Sequence, residues 1–243
     1  MEIVAGVVAS IGRVALLAGL LASRAVCADD WGGSVAATSD YVVRGFTRSD
    51  DEPAAQVDLH YLGGGGLLAG VFASTAHIDP EAGRDVELNG FVGFARRAGE
   101  DWGAKLLASV YAYPGGSGGS AYDYGEFDLD LAYRDWIDVK LLYSPDTPRY
   151  VLGRGLVRVG TDSAEIALQH PIRGRLHAML GAGYSVFAGD GRAGYAYWSS
   201  GVLYDLAPVA LLGTYVGTSP EARALYYGTI TRNHWLATVI WRF

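Results

Sequence analysis

The feature that most constrains this chain is an alternation with a period of two. Ala55, Val57, Leu59 and Tyr61 alternate with Gln56, Asp58 and His60. Phe127, Leu129, Leu131 and Tyr133 alternate with Glu126, Asp128 and Asp130, and Ile137, Val139, Leu141 and Tyr143 with Asp138 and Lys140. The same rhythm sets Val86 and Leu88 against Asp85, Glu87 and Asn89, and Ala164, Ile166 and Leu168 against Glu165 and Gln169. It sets Leu176, Ala178, Leu180, Ala182 and Tyr184 against Arg175 and His177. Successive side chains of a strand point to opposite faces, so such a pattern predicts strands with one apolar face. After residue 28 no helical stripe is sustained, and no apolar run is long enough for a membrane helix. The expectation is an all-β chain.

The strands read as 34–47, 54–62, 67–76, 85–96, 102–113, 124–134, 136–144, 161–170, 175–185, 195–206, 209–218 and 231–243. The prolines at 53, 80, 114, 145, 148, 171, 208 and 220 fall between them. Proline cannot donate to a sheet ladder, so this placement supports the assignment. Short connections (Gly63–Gly66, Arg97–Asp101, Asp135, Pro171–Gly174, Ala207–Pro208) alternate with mostly longer ones (Arg48–Pro53, His77–Arg84, Pro114–Asp123, Pro145–Gly160, Val186–Gly194, Ser219–Ile230). An antiparallel meander of about twelve strands would then have one tidy end and one loopy end. That is the layout of an outer-membrane barrel, with short periplasmic turns and longer outer loops.

Composition decides which face is apolar. A soluble sandwich would carry many lysines outside, and this chain has two, Lys105 and Lys140. A membrane barrel closes on itself, turns its apolar face outward and places aromatics near its strand ends. Tyr41, Tyr61, Trp102, Tyr113, Tyr133, Trp136, Tyr143, Tyr184, Tyr204 and Tyr215 are expected to form such girdles. Residues 1–28 read as a cleaved secretory signal, with Val14–Ala22 as its apolar region and small residues before Asp29. That leaves 29–243 as the barrel. Of 19 basic and 26 acidic residues, Arg13, Arg24 and Glu2 lie in the signal, which leaves 17 and 25. The single cysteine, Cys27, is lost with it, so no disulfide framework forms. Trp235, Val239, Trp241 and Phe243 share one face of the last strand, as in a C-terminal signal read by the outer-membrane insertion machinery.

The run Ser39-Asp40-Tyr41-Val42-Val43-Arg44-Gly45-Phe46-Thr47-Arg48-Ser49 resembles the opening motif of the TorF-type porins of proteobacteria. Further matching positions are Pro53, Ala54 and Gln56; Gly70, Val71, Phe72, Ala73 and Ser74; Glu87, Gly90 and Phe91; and Tyr113, Pro114 and Gly115. The resemblance covers about residues 34–145, and Pro145–Gly160 departs from it. It implies an outer-membrane barrel with a channel role and brings no catalytic residue.

If the barrel faces outward as described, Arg44, Asp58, Asp85, Glu87, Lys105, Glu126, Asp128, Asp130, Asp138, Lys140, Glu165 and Arg175 line the lumen. The excess of carboxylates would favour cations. A tight connection between 124–134 and 136–144 places Asp130 opposite Lys140, so a plug of ion pairs fits the same residues. The sequence therefore leaves two main readings: a passive channel for small solutes with a cation-leaning lumen, or a structural or ligand-binding barrel with a filled lumen. A barrel hydrolase is the third reading, and the five histidines offer no motif for it; the chain is not expected to be an enzyme. Asp50 and Asp51 would approach His77 at the rim, and Asp50, Asp51 and Glu52 offer a weak divalent-ion signal. No cofactor and no metal centre are expected. Outer-membrane lipid and small solutes are the expected partners, and a net charge of −7 argues against nucleic acid.

Overall fold

The computed structural model describes residues 30–78, 85–114, 119–134, 136–151, 153–188, 193–226 and 231–243. The expected signal at 1–28 lies outside the described residues, as do Asp29, Gly115 and Asp135.

Fourteen strands are described: β1 (Asp30–Thr38), β2 (Val42–Val43), β3 (Phe46–Thr47), β4 (Ala54–Leu62), β5 (Leu67–Ala76), β6 (Asp85–Ala98), β7 (Trp102–Ala112), β8 (Tyr124–Tyr133), β9 (Ile137–Val151), β10 (Gly155–Arg173), β11 (Leu176–Phe187), β12 (Gly194–Asp205), β13 (Val209–Thr218) and β14 (His234–Arg242). One short helix, α1 (Pro220–Tyr226), lies between β13 and β14. All strands except β2 and β3 form one closed antiparallel barrel, twelve in number, as the alternation predicts. β1 closes it by pairing with both β4 and β14, for example Val35 with Val57 and with Trp241. Within the closed wall no strand is an edge, so the ladder groups there find partners in neighbouring strands.

The two faces follow the sequence rhythm. Val71, Val92, Leu106, Val110, Leu180 and Val202 point outward and are exposed, Val110 by 64%. A soluble protein would not leave so wide an apolar band in water. This is the exterior of a membrane-spanning barrel of the outer-membrane type, on which a lysine or arginine at mid-depth would cost about 2–4 kcal/mol. Aromatic pairs mark its borders. Trp31–Tyr61, Trp102–Tyr133 and Trp241–Phe243 lie at the short-turn end, with ring centroids 5.4, 4.8 and 5.2 Å apart. Tyr215–Trp235 lies at the other end, at 5.3 Å.

Five expectations need correction. The stretch 34–47 is not one wall strand: β1 ends at Thr38, and the chain turns into the barrel. The alternation of Tyr41 and Val43 continues through that turn, which is why it reads as strand. Tyr41 and Tyr113 consequently do not join a girdle; both are fully buried inside. Pro145–Gly160 is not a loop. β9 and β10 run on as a projecting two-stranded hairpin, in which Leu156 pairs with Tyr150 and Arg158 with Pro148. The prolines therefore do not all fall between strands. Pro145 sits at a register shift opposite Gly160, where a bulge relieves the ladder, and Pro171 sits at another near the end of β10. Finally, Arg175 is exposed in the β10–β11 turn rather than on the inner wall.

Candidate functional site

Residues 39–53 leave the wall between β1 and β4 and fold into the lumen. Thr38 starts the turn by donating its hydroxyl to the Asp40 carbonyl at 2.8 Å. The Asp40 carboxylate then ties the segment into a knot. Its Oδ1 accepts the Thr47 hydroxyl at 2.5 Å and the Ser49 hydroxyl at 2.8 Å. Its Oδ2 lies 2.8 Å from His234 Nε2 at the start of β14. Inside the knot, β2 and β3 pair only with each other, Val42 with Thr47 and Val43 with Phe46. Their two-residue turn has positive φ at both central positions, 50° at Arg44 and 82° at Gly45. That is the geometry of a tight hairpin turn, which suits glycine at its second position. A side chain at Gly45 would also overlap the Thr218 methyl and lie 2.9 Å from Tyr197 Cβ, so the tip is pressed against the far wall.

Three side chains of the segment, Tyr41, Arg44 and Arg48, then reach partners beyond it. Tyr41 donates its hydroxyl to Glu87 at 2.8 Å, and Tyr113 donates to the other oxygen of Glu87 at 2.6 Å. Arg48 donates to the Tyr113 hydroxyl at 3.2 Å and lies over the Phe46 ring. Arg44 forms an ion pair with Glu126 on β8 and lies 3.7 Å from Glu165 on β10. Tyr197 on β12 crosses Gly183, whose missing side chain makes room for the ring, and donates to Glu165 at 2.8 Å. Toward the loop end, Ala222 and Leu225 of α1 join Val42, Phe187, Tyr195, Val216 and Leu236 in one apolar cluster. Tyr226 stacks on Phe46 at 4.8 Å.

Below the hairpin runs a band of charge. Register places Lys105, Asp130, Lys140 and Glu165 side by side on β7 to β10. Lys105 Nζ lies 2.6 Å from Asp130, and Lys140 Nζ lies 3.4 Å from its other oxygen. The expected opposition of Asp130 and Lys140 is thus present. Asp58, Asp85, Glu87, Glu126 and Asp128 are also buried on the inner face, and Asp138 is half-buried on the Lys140 face of β9. Asp58 pairs with His60 at 2.5 Å, and Asp205 with Arg242 at 2.6 Å, nearer the short-turn end. With Arg175 outside, these eight predicted acids share the interior with the predicted bases Arg44, Lys105 and Lys140, and with Arg48 and Arg242. Trp235, Val239, Trp241 and Phe243 all point outward on or just beyond β14 and are exposed.

At the rim, Asp50 and His77 come within 3.9 Å. Asp51 receives Arg232 on both oxygens, at 3.1 and 2.7 Å, and lies 3.8 Å from His234. Ligand atoms of Asp40, Asp51 and His234 fall within 4.8 Å of one another. The Arg232 guanidinium already supplies the cation there, so this group works as an ion-pair latch between the inward segment and β14.

The sequence reading missed the inward segment and α1. Ser219-Pro220-Glu221 carried a legible helix start, a capping residue followed by proline and an acid.

Residues 24–243 match the model of a family described as "Bacterial protein of unknown function (Gcw_chp)". The chain belongs to this family. No curated protein matches it. Among solved structures it is similar to the NanC porin, with a TM-score of 0.56 at 10% identity over 87% of this chain and 98% of that one. It is also similar to the KdgM porin, at 0.53 and 9% identity over 87% of this chain and 99% of that one. A structure of the KdgM porin in complex with disordered oligogalacturonate matches at 0.52 and 9% identity, over 88% of this chain and 99% of that one. At such identities the likeness is one of fold: this chain has a porin-like barrel.

Proposed function

We propose that the chain is an outer-membrane channel for passive passage of small solutes, with a lumen that leans toward cations. The observation that carries this reading is the acidic inner wall. Asp40, Asp58, Asp85, Glu87, Glu126, Asp128, Asp130, Asp138, Glu165 and Asp205 outnumber Arg44, Arg48, Lys105, Lys140 and Arg242 there, and carboxylate-lined pores favour cations. Oligogalacturonate, recorded with the KdgM porin, is a polyanion and would meet repulsion in this lumen. The TorF-type resemblance supports the same channel role. Its opening motif is the segment that folds inward, which gives that motif the task of constricting the lumen.

A second reading has its own observation. Glu87, Lys105, Glu126, Asp130 and Lys140 are buried, as in a lumen filled by ion pairs and not by water. The two readings join if the inward hairpin is a removable constriction. The test is the zero-current potential of bilayers holding the barrel across a KCl gradient. The wild type is expected to prefer potassium, and Asp128→Asn with Asp138→Asn to lose much of that preference, because neither acid is paired with Arg44, Lys105 or Lys140 among the described ion pairs. Anion preference, or an unchanged potential in the double variant, would contradict the reading.

Residues 1–28 act as the export signal in this account, and Trp235, Val239, Trp241 and Phe243 as the face recognised by the insertion machinery. N-terminal sequencing of the protein from outer membranes is expected to begin at Asp29; a chain that retains Met1 would contradict the first assignment.

A further inference from the structure

Arg44 is held in the lumen by a device that is separable from the barrel. The wall is complete without residues 39–53, because β1 pairs directly with β4 along its whole length, from Asp30 with Leu62 to Thr38 with Ala54. The hairpin adds no strand to that wall. It delivers one planar cation to two carboxylates on different strands. The guanidinium meets Glu126 through its Nη2 and faces Glu165 through its Nε, so the two acids address different edges of the same plane. Tyr111 and Tyr197 hold those acids from the sides, with their hydroxyls 3.3 Å from Glu126 Oε1 and 2.8 Å from Glu165 Oε1.

The acceptors exceed what Arg44 uses. Glu165 Oε2 and Asp128 Oδ1 are buried and have no hydrogen-bond partner. Both side chains are more than nine-tenths buried, at 7% and 6% exposure. Asp128 lies between Glu126 and Asp130 on the same buried face of β8, so it belongs to the same cluster. Buried carboxylate oxygens without donors are costly, and a ligand with several N–H groups would satisfy them.

We propose that Arg44 is a tethered occupant of a binding site for organic cations. Small solutes that carry a guanidinium or a primary ammonium group compete with it for Glu126 and Glu165 and move the hairpin tip as they enter. The geometry favours a planar, multi-donor cation over a bare ion because the acids approach separate edges of a fork. The inference rests on the channel reading for its transport part, and names the solute class that the channel would take.

The experiment is a chemical rescue on the folded, full barrel. Arg44→Ala vacates the site and is expected to lower the midpoint of the heat-induced gel-mobility shift. Ethylguanidinium at millimolar concentration should restore most of that loss. Tetramethylammonium, which has no N–H donor, should restore none at equal ionic strength. Arg44→Gln, a milder vacancy, is titrated alongside, and Glu165→Gln on Arg44→Ala should weaken the rescue about tenfold, the scale of one charge-assisted hydrogen bond. Equal rescue by both cations, or none by either, would overturn the site. Bi-ionic potentials give the transport arm: ethylguanidinium should outpermeate tetramethylammonium by about tenfold, and a ratio near one would overturn the solute assignment. Rescue without any conductance would remove the channel reading and leave the site standing; conductance without rescue would do the reverse.

Discussion

Replacing Asp130 by Asn is expected to destabilise the folded barrel by about 3–5 kcal/mol, the cost of leaving a buried charge without its partner. Asp130 lies between two ammonium groups, with Lys105 at 2.6 Å and Lys140 at 3.4 Å, and it is almost fully buried. The change leaves Lys105 Nζ without its described ion-pair partner and removes one of the attractions that offset the desolvation of Lys140, which keeps Glu165 beside it. Directly opposed charges on an exposed sheet would contribute only ~0.2–1 kcal/mol each. The larger figure applies here because Lys105, Asp130 and Lys140 are all buried. Urea titration of the liposome-folded protein measures the loss. The double variant Asp130→Leu with Lys105→Met, which removes one charge of each sign and leaves Lys140 beside Glu165, should regain most of it, since a well-packed apolar set often equals a buried ion pair in stability. A single variant within ~0.5 kcal/mol of wild type would mean that the row is hydrated and exposed to the pore.

The second large effect is on conductance. Gly45→Val should dislodge the hairpin and raise the open-state current severalfold. A β-branched residue at a φ of 82° is a conformational outlier, and strain of this kind costs on the order of 1–3 kcal/mol. The new side chain would also overlap Thr218 and crowd Tyr197. The barrel itself should stay folded, because no wall ladder passes through the hairpin. Single-channel recording beside gel-mobility analysis separates the outcomes: a folded barrel with unchanged current would show that the hairpin does not obstruct the path.

The contrast between wall and hairpin also explains what the sequence revealed. Strands such as 54–62 and 67–76 were legible to the residue, because each must turn one apolar face to lipid and no other structure satisfies that rhythm. The facing of Asp130 and Lys140 was legible because a tight connection fixes the register of a hairpin. The inward turn at Ser39–Asp40 was not, since Tyr41 and Val43 keep the period of two while their partners change from lipid to Glu87 and the lumen. Arginine seldom adopts positive φ, so Arg44 gave no hint of a turn. Pro145 and Pro148 read as breakers, yet β9 projects there as one arm of a hairpin, with a register shift opposite Gly160. The lumenal charges were found by parity alone, and parity could not tell Arg175, in a turn, from His177, on the wall.

An acidic, cation-leaning passage behind the hairpin, as proposed, is tested by the zero-current potential of Gly45→Val in a planar bilayer across a KCl gradient, recorded beside the wild type. A larger conductance than wild type is expected, with a potential displaced toward the potassium limit. A potential displaced toward the chloride limit, or a folded barrel that passes no current with the hairpin dislodged, would contradict it.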